Sequence, residues 1–288
     1  MNTPLIKFGL AFNSQIESAP ALGAEIAKYL KEQGAEVRGL GAIYERPLRQ
    51  SIAAKDFDVL IVLGGDGTML RASQLCASAG IPILGVNLGS FGFLMELTPQ
   101  DWISFLPRLL KGDYRLERHM LLQAELFRGE ERMESWLVVN DVVVCRGQYV
   151  RPIRLEAEVD GAHMASYVAD GLIASTPIGS TAYALAAGGA ILPPELRNIL
   201  IVPVAPHLSP DQPIILAEGA HVTIRVHTNH QAVVSVDGHM PVILEDGDCV
   251  RVSSSVLDSL FIRFREPGFF YSNLNRFLEQ NPSFPNNR

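Results

Sequence analysis

No segment of the chain approaches the roughly 18 consecutive apolar residues that a bilayer-spanning helix needs, so no membrane partner is expected. Cysteine is scarce. Cys76, Cys145 and Cys249 lie far apart and form no Cys-x-x-Cys pair, which argues against a disulfide framework and a thiolate metal site and for a reducing compartment. Positive charge is short as well, with 24 Lys and Arg against 31 Asp and Glu and a formal net charge of −7. A protein built to grip nucleic acid or an anionic membrane needs a basic surface, so neither is expected here. A small anionic ligand stays open, because backbone N–H groups hold one without net positive charge. The opening residues, MNTPLIKFGLAF, lack a basic stretch followed by a long apolar one, and a cytoplasmic location is the expectation.

What is present is a globular composition, 48% hydrophobic and 19% charged. The 288 residues are long for one domain and comfortable for two. The 24 glycines and 18 prolines imply many tight turns.

The first third alternates strand and helix. Strands are predicted at Leu5–Phe12, Phe57–Leu63 and Ile81–Val86, and helices at Ala21–Gln33 and Thr68–Ser78. FDVLIVL is a continuous apolar run, as in a strand covered on both faces. This order implies a parallel sheet packed with helices, whose ligands sit beyond the carboxyl ends of the strands. The pattern changes near Arg118. Strand-like runs then follow one another, at Leu121–Phe127, Trp136–Val144, Ile153–Val159, Met164–Ala169, Leu172–Ser175, Ile199–Val204, His221–Val226, Ala232–Val236 and Leu260–Phe264, with a single helix starting near Ser180. Asp160-Gly161 and Asp246-Gly247 are hairpin dipeptides. The expected fold is therefore an α/β N-terminal domain with a parallel sheet over residues 1–117, followed by an all-β domain over 118–267. A C-terminal helix at 268–288 would pack back on the first domain.

The sharpest local feature is Gly64-Gly65-Asp66-Gly67-Thr68, directly after a buried strand and before a helix. Adjacent glycines let N–H groups approach a ligand without Cβ interference, and the helix start is attractive to phosphate. Asp66 is out of place there, since a carboxylate repels phosphate unless it works on a proton or a metal ion. A plain turn with Thr68 as helix cap is the alternative.

GGDGT is shared by NAD kinases and by the diacylglycerol and sphingosine kinases. Further segments resemble NAD kinases specifically. Gly85–Leu94 (GVNLGSFGFL) is similar to their second glycine-rich loop. Asn140-Asp141 matches their Asn-acidic pair, with Asp where many members carry Glu. DGLIASTPIGSTAY, Asp170–Tyr183, resembles their most specific stretch, with Ile178 where Thr is common. These motifs occur in the family's order over roughly residues 59 to 265, and the chain is identified as a member of the NAD kinase family.

The resemblance implies transfer of the terminal phosphoryl group of ATP to the adenosine ribose 2′-hydroxyl of NAD, giving NADP. By it, Asp66 contacts that ribose and accepts its proton. Gly64, Gly65, Gly67 and Thr68, with a divalent metal ion, Mg²⁺, would hold the triphosphate, and Arg71, one helical turn past Thr68, would reach a phosphate or else be an exposed helix arginine. No cage of carboxylates is visible, so the metal would arrive with the nucleotide. Asn140 would meet the adenine edge and Asp141 the ribose hydroxyls; a turn or bulge is the alternative for this pair. Asp170 would bind the nicotinamide carboxamide or else form a hairpin. Thr181, Ala182, Tyr183, Ala184, Leu185 and Ala186 would line the dinucleotide with an unusually small-sided helix start, capped by Ser180 or Thr181. Phe93 would lie against adenine or else be a core residue, and Arg151 stands where the family often has a basic residue. The Asp237-Gly238-His239 turn falls near the site in the family, across a subunit contact, and a homodimer or homotetramer is implied. The spacings of His207, His227, His230 and His239 match no metal-ligand pattern. A lipid kinase is the nearest rival and would lack TPIGSTAY. A nucleotide-binding regulator is a second, and Asp66 argues against it.

Overall fold

In the computed structural model, residues 6–89, 92–207, 210–266 and 268–280 are described. The chain forms two compact units. One comprises the described residues up to Arg118 together with those from Ser259 onward, and the other spans His119–Asp258.

The first unit holds β1 (Lys7–Phe12), α1 (Ala19–Glu32), β2 (Glu36–Ala42), α2 (Arg46–Ala53), β3 (Val59–Gly64), α3 (Asp66–Ala77), β4 (Ile83–Asn87) and α4 (Trp102–Leu110). Its strands run parallel in the order β2-β1-β3-β4. Every residue of β3 is buried, as the unbroken apolar run requires of a central strand with helices on both faces. Helix α1 turns Ala19, Gly23, Ile26, Ala27 and Leu30 inward at helical spacing. Ile26 and Leu30 join Phe8, Leu10, Ile61, Leu63, Leu84 and Leu106 in one core.

Three elements of this unit were not foreseen. Strand β2 (EVRGLGA) is a sheet edge with two glycines, and its residues alternate between exposed and half-buried positions until Gly41. Helix α2 is eight residues long with a proline at its start, and α4 carries Pro107 inside it. Both are decided by burial of an apolar face and not by propensity.

The chain then runs through β5 (Arg115–Arg128), β6 (Glu131–Val138), β7 (Asp141–Arg146), β8 (Ile153–Val159), β9 (Ala162–Ala169) and β10 (Gly171–Ser175). After a 3₁₀ turn at Gly179–Thr181 and the four-residue α5 (Tyr183–Ala186) come β11 (Asn198–Val204), β12 (Ile214–Ala217), β13 (Val222–His227), β14 (Ala232–Val236), β15 (Val242–Leu244) and β16 (Cys249–Arg263). Within the second unit β16, β13, β8 and β9 pair antiparallel in that order. A second antiparallel sheet has the order β12-β11-β10-β7-β14-β15. Val142, Val144, Leu172 and Val234 from this sheet and Leu155, Tyr167 and Ile224 from the other form a common core. The far end of β16 pairs through Phe261 with Ile83 of β4, and α6 (Phe269–Gln280) closes the first unit. Residues 281–288, the last part of the expected C-terminal helix, lie outside the described residues. No described helix is long and apolar enough to cross a membrane.

Two expectations are corrected. The run Trp136–Val144 is not one strand, because β6 ends at Val138 and β7 begins at Asp141, with a bend at Val139-Asn140. The helix expected from Ser180 is a single 3₁₀ turn followed by four helical residues.

Candidate active site

In the first unit, α3 starts at Asp66, directly after Gly64 ends β3, and Gly65 takes the cap position in an extended conformation. Thr68 is therefore not a cap. Its side chain is buried beneath Gly64, where a Cβ would fall 2.4 Å from Thr68 Oγ1. Nothing lies within 4 Å of a Cβ built on Gly65 or Gly67, so neither glycine is demanded by internal packing.

Asp66 is half-buried. Its Oδ2 accepts the Phe93 N–H at 2.9 Å and its Oδ1 the Leu94 N–H at 3.2 Å. A Cβ on Gly92 would stand 2.1 Å from Oδ1, so glycine is required there for the carboxylate to be seated. Burial raises the proton affinity of Asp66 above the ordinary carboxylate value, while the Leu94 and Phe93 N–H groups and the Arg263 guanidinium oppose the rise. The end of the second glycine-rich loop, Gly92 to Leu94, thus holds Asp66, while its Ser90 and Phe91 lie outside the described residues. Arg71 donates to Gln74 Oε1 at 3.1 Å and lies 5.5 Å from the centre of the Tyr44 ring. Phe93 packs 6.1 Å from Phe270 of α6, which gives it a place in the unit whatever else it touches.

In the second unit the Asn140-Asp141 pair sits at the bend between β6 and β7, so the turn reading and a ligand role hold together. Three side-chain and backbone clamps fix this bend. Asp237, at φ 49°, accepts the N–H groups of Val139 (2.9 Å), Asn140 (2.6 Å) and Asp141 (3.1 Å), and returns its own N–H to the Asp141 carbonyl. Thr176 donates its hydroxyl to the Val139 carbonyl at 2.6 Å and its N–H to that of Asn140 at 2.9 Å. Gly179 packs on the Asn140 carbonyl, 2.1 Å from where its Cβ would be. Asp141 is 4% exposed, and burial followed by the neighbouring Asp237 charge pushes its carboxyl up to about 7.

Asp170 is not a hairpin residue. It links β9 and β10, which belong to different sheets, and its carboxylate stands 2.9 Å from Arg146 Nε. Neither hydroxyl near residue 180 caps α5. Ser180 donates to the Pro177 carbonyl and accepts the Leu192 N–H, and Thr181 donates to the Ile178 carbonyl. Ala182 and Leu185 are half-buried, and Ala186 is exposed. Ala184 faces inward among Val143, Ile173, Leu200 and Val202, so its small size serves packing. Tyr183 is exposed, and its phenol is held above its ordinary value by partial burial and by the charges of Cys145, Asp170 and Asp141. Arg151 is exposed on the loop after β7.

The histidines disperse. His227 pairs with Glu156 at 3.3 Å, His230 lies near the Pro152 and Gln231 carbonyls, and no group of three metal-binding side chains occurs among the described residues. Asp237, Arg263 and Glu96 (which anchors Arg263) were given little or no weight from sequence. Asp237-Gly238 carried a turn signal, but nothing local marked its partners at 139–141.

Residues 9–114 match the ATP-NAD kinase N-terminal domain and residues 139–264 the ATP-NAD kinase C-terminal domain. The chain belongs to the NAD kinase family. It is similar to an NAD kinase of Heliobacterium modesticaldum, with 43% identity over 217 residues covering 75% of this chain and 77% of the relative. An NAD kinase of Geotalea daltonii is 37% identical over 244 residues, covering 81% and 86%. In fold it resembles a yeast NADH kinase crystallised with NADH (TM-score 0.85, 24% identity, covering 100% of this chain and 91% of that one). It also resembles an Archaeoglobus fulgidus NAD kinase in complex with ATP (TM-score 0.76, 24% identity, covering 94% and 98%). As a family member it is an ATP-dependent kinase that phosphorylates NAD to NADP. The lipid-kinase and regulator readings give way to this match across both units.

Proposed function

We propose that Asp66 is the proton acceptor of this reaction. The ribose 2′-oxygen forms a bond to the terminal phosphorus of ATP as the bond from that phosphorus to the bridging oxygen breaks. ADP leaves with the electron pair, and the 2′-hydroxyl proton passes to Asp66. Transfer of this kind depends on positioning and charge neutralisation more than on a strong nucleophile. The observation that carries the reading is a carboxylate seated at a helix start, fixed by two N–H groups, with raised proton affinity. Its proton affinity, raised above that of an ordinary carboxylate, suits it to accept the hydroxyl proton.

Gly65 and Gly67 have open space where a Cβ would stand, which lets a ligand approach the backbone closely, and with Gly64, Thr68 and Arg71 they belong to the triphosphate side. The divalent ion, Mg²⁺, is assigned to the ATP complex as part of the substrate, in keeping with the donor set of the described residues. In the second unit Asn140, Asp141, Asp170, Thr181, Ala182 and Tyr183 contact NAD, with Leu185 and Ala186 at the margin. Phe93 is the adenine contact, and Arg151 offers an exposed basic side chain from the loop after β7. The enzyme works in the cytoplasm as a homodimer or homotetramer, as the resemblance implies.

Asp66→Asn keeps the size of the side chain and one of its two acceptor oxygens but cannot take the proton. Turnover is expected to fall by about 10²-fold or more, with NAD affinity by calorimetry nearly unchanged. Turnover within a few-fold of the parent would remove Asp66 from the base role.

A further inference from the structure

Behind Asp66 stands a buried ionic cluster that no motif announced. Arg263, at the end of β16, is 8% exposed, and Glu96 beside it is 4% exposed. Arg263 Nη1 donates to the Leu94 carbonyl at 3.0 Å and approaches Glu96 Oε2 at 3.4 Å, while Nε lies 3.2 Å from Glu117 Oε1. Glu96 is itself fixed, because its Oε1 accepts the N–H groups of Phe264 and Arg265 at 2.8 and 3.0 Å. Leu94 therefore has both faces of its backbone committed, its carbonyl to Arg263 and its N–H to Asp66.

We propose that Arg263 is a positioning residue for the phosphoryl-transfer base: it pins the Leu94 carbonyl, so that the Phe93 and Leu94 N–H groups hold the Asp66 carboxylate, and it keeps a positive charge behind that carboxylate. The inference rests on the reading of Asp66 as proton acceptor and deepens it. A guanidinium suits the task because its planar fork serves a carbonyl and two carboxylates at once, which a lysine cannot do. The charge matters because burial alone disfavours the ionised form that a base must have. Arg263 is the charged side chain whose field opposes that effect at Asp66; Glu96, from the loop before α4, and Glu117, from β5, face Arg263 and temper it. A buried pair of this kind is costly to assemble, and a purely apolar cluster would serve stability as well. Its place behind the base supplies a reason for it.

The test is the acid limb of log kcat against pH, with NAD and Mg-ATP saturating, for the parent, Arg263→Gln, Glu117→Gln and Asp66→Asn. Arg263→Gln removes the positive charge, and the limb should move up by about one pH unit, with kcat reduced and KM for NAD little changed. Glu117→Gln removes a negative charge that tempers Arg263, so the limb should move down. Loss of structure alone does not produce shifts of opposite sign. If the Arg263→Gln chain does not fold, the downward shift in Glu117→Gln decides the matter. Limbs that stay at the parent position in these variants, while Asp66→Asn abolishes the limb, would overturn the role of Arg263 and leave Asp66 as base. A limb that persists in Asp66→Asn overturns the base assignment and this inference with it.

Discussion

A carboxyl group buried beside a second carboxylate resists ionisation, and Asp141 is in that position next to Asp237. With its folded-state value near 7 and an ordinary value of 3.8, the folded protein retains a proton that the unfolded chain has released. Stability then declines as pH rises from about 4 to 7 and levels off above, a loss on the order of 4 kcal/mol from this one group. Asp141→Asn cannot ionise and escapes the loss. The variant is expected to melt higher than the parent at pH 8 and not at pH 4, in the absence of nucleotide; an equal difference at both values would show that Asp141 does not hold its proton. Sequence marked Asp66 and Asp141 as polar residues where apolar strands end. It did not reveal their surroundings, because Leu94 lies 28 positions from Asp66 and Asp237 lies 96 from Asp141.

At the scale of elements, the junction of β6 and β7 is the most informative segment. WLVVNDVVVC reads as one strand by composition, since β-branched residues continue on both sides of the polar pair. The break is made from outside, by Asp237 taking three successive N–H groups that a continuing ladder would otherwise use. Asp237→Ala leaves these donors without their acceptor at a largely buried site, and a loss of about 3 kcal/mol or more is expected. Because the bend carries Asn140 and Asp141, the KM for NAD should rise more than kcat falls. Denaturant melts and steady-state kinetics check both, and a parent-like KM would separate the bend from NAD binding. The segment from Ser180 shows the opposite limit. Its alanine-rich run favours helix, yet Ser180 and Thr181 bond back to carbonyls three residues earlier, which tightens the start into a 3₁₀ turn.

For the molecule as a whole, two long strands, β5 and β16, each begin in one unit and end in the other, so the first unit is assembled from both ends of the chain. Local periodicity located strand segments inside them but not their full length of 14 and 15 residues, since pairing and not composition extends them. The described residues contain no cluster of three metal-binding side chains in either unit. Chelation of divalent ions is therefore expected to stop turnover without shifting the melting temperature of the nucleotide-free protein. A fall in melting temperature on chelation would point to a resident structural metal, because an ion bound to the native state stabilises it.

The sequence by itself determined the order of elements, the buried parallel strand ending in Gly-Gly-Asp-Gly, the change to antiparallel strands near residue 118 and the motifs that place the chain among NAD kinases. These are properties of contiguous residues, where hydrophobic period and turn chemistry act over a few positions. Tertiary structure alone decided that the Phe93 and Leu94 N–H groups hold Asp66, that Asp237 makes the bend at Asn140, that Ala184 faces the core and that Arg263 stands behind the base. Each of these depends on groups far apart in sequence, whose hydrogen bonds and charges acquire their strength only when folding removes them from water.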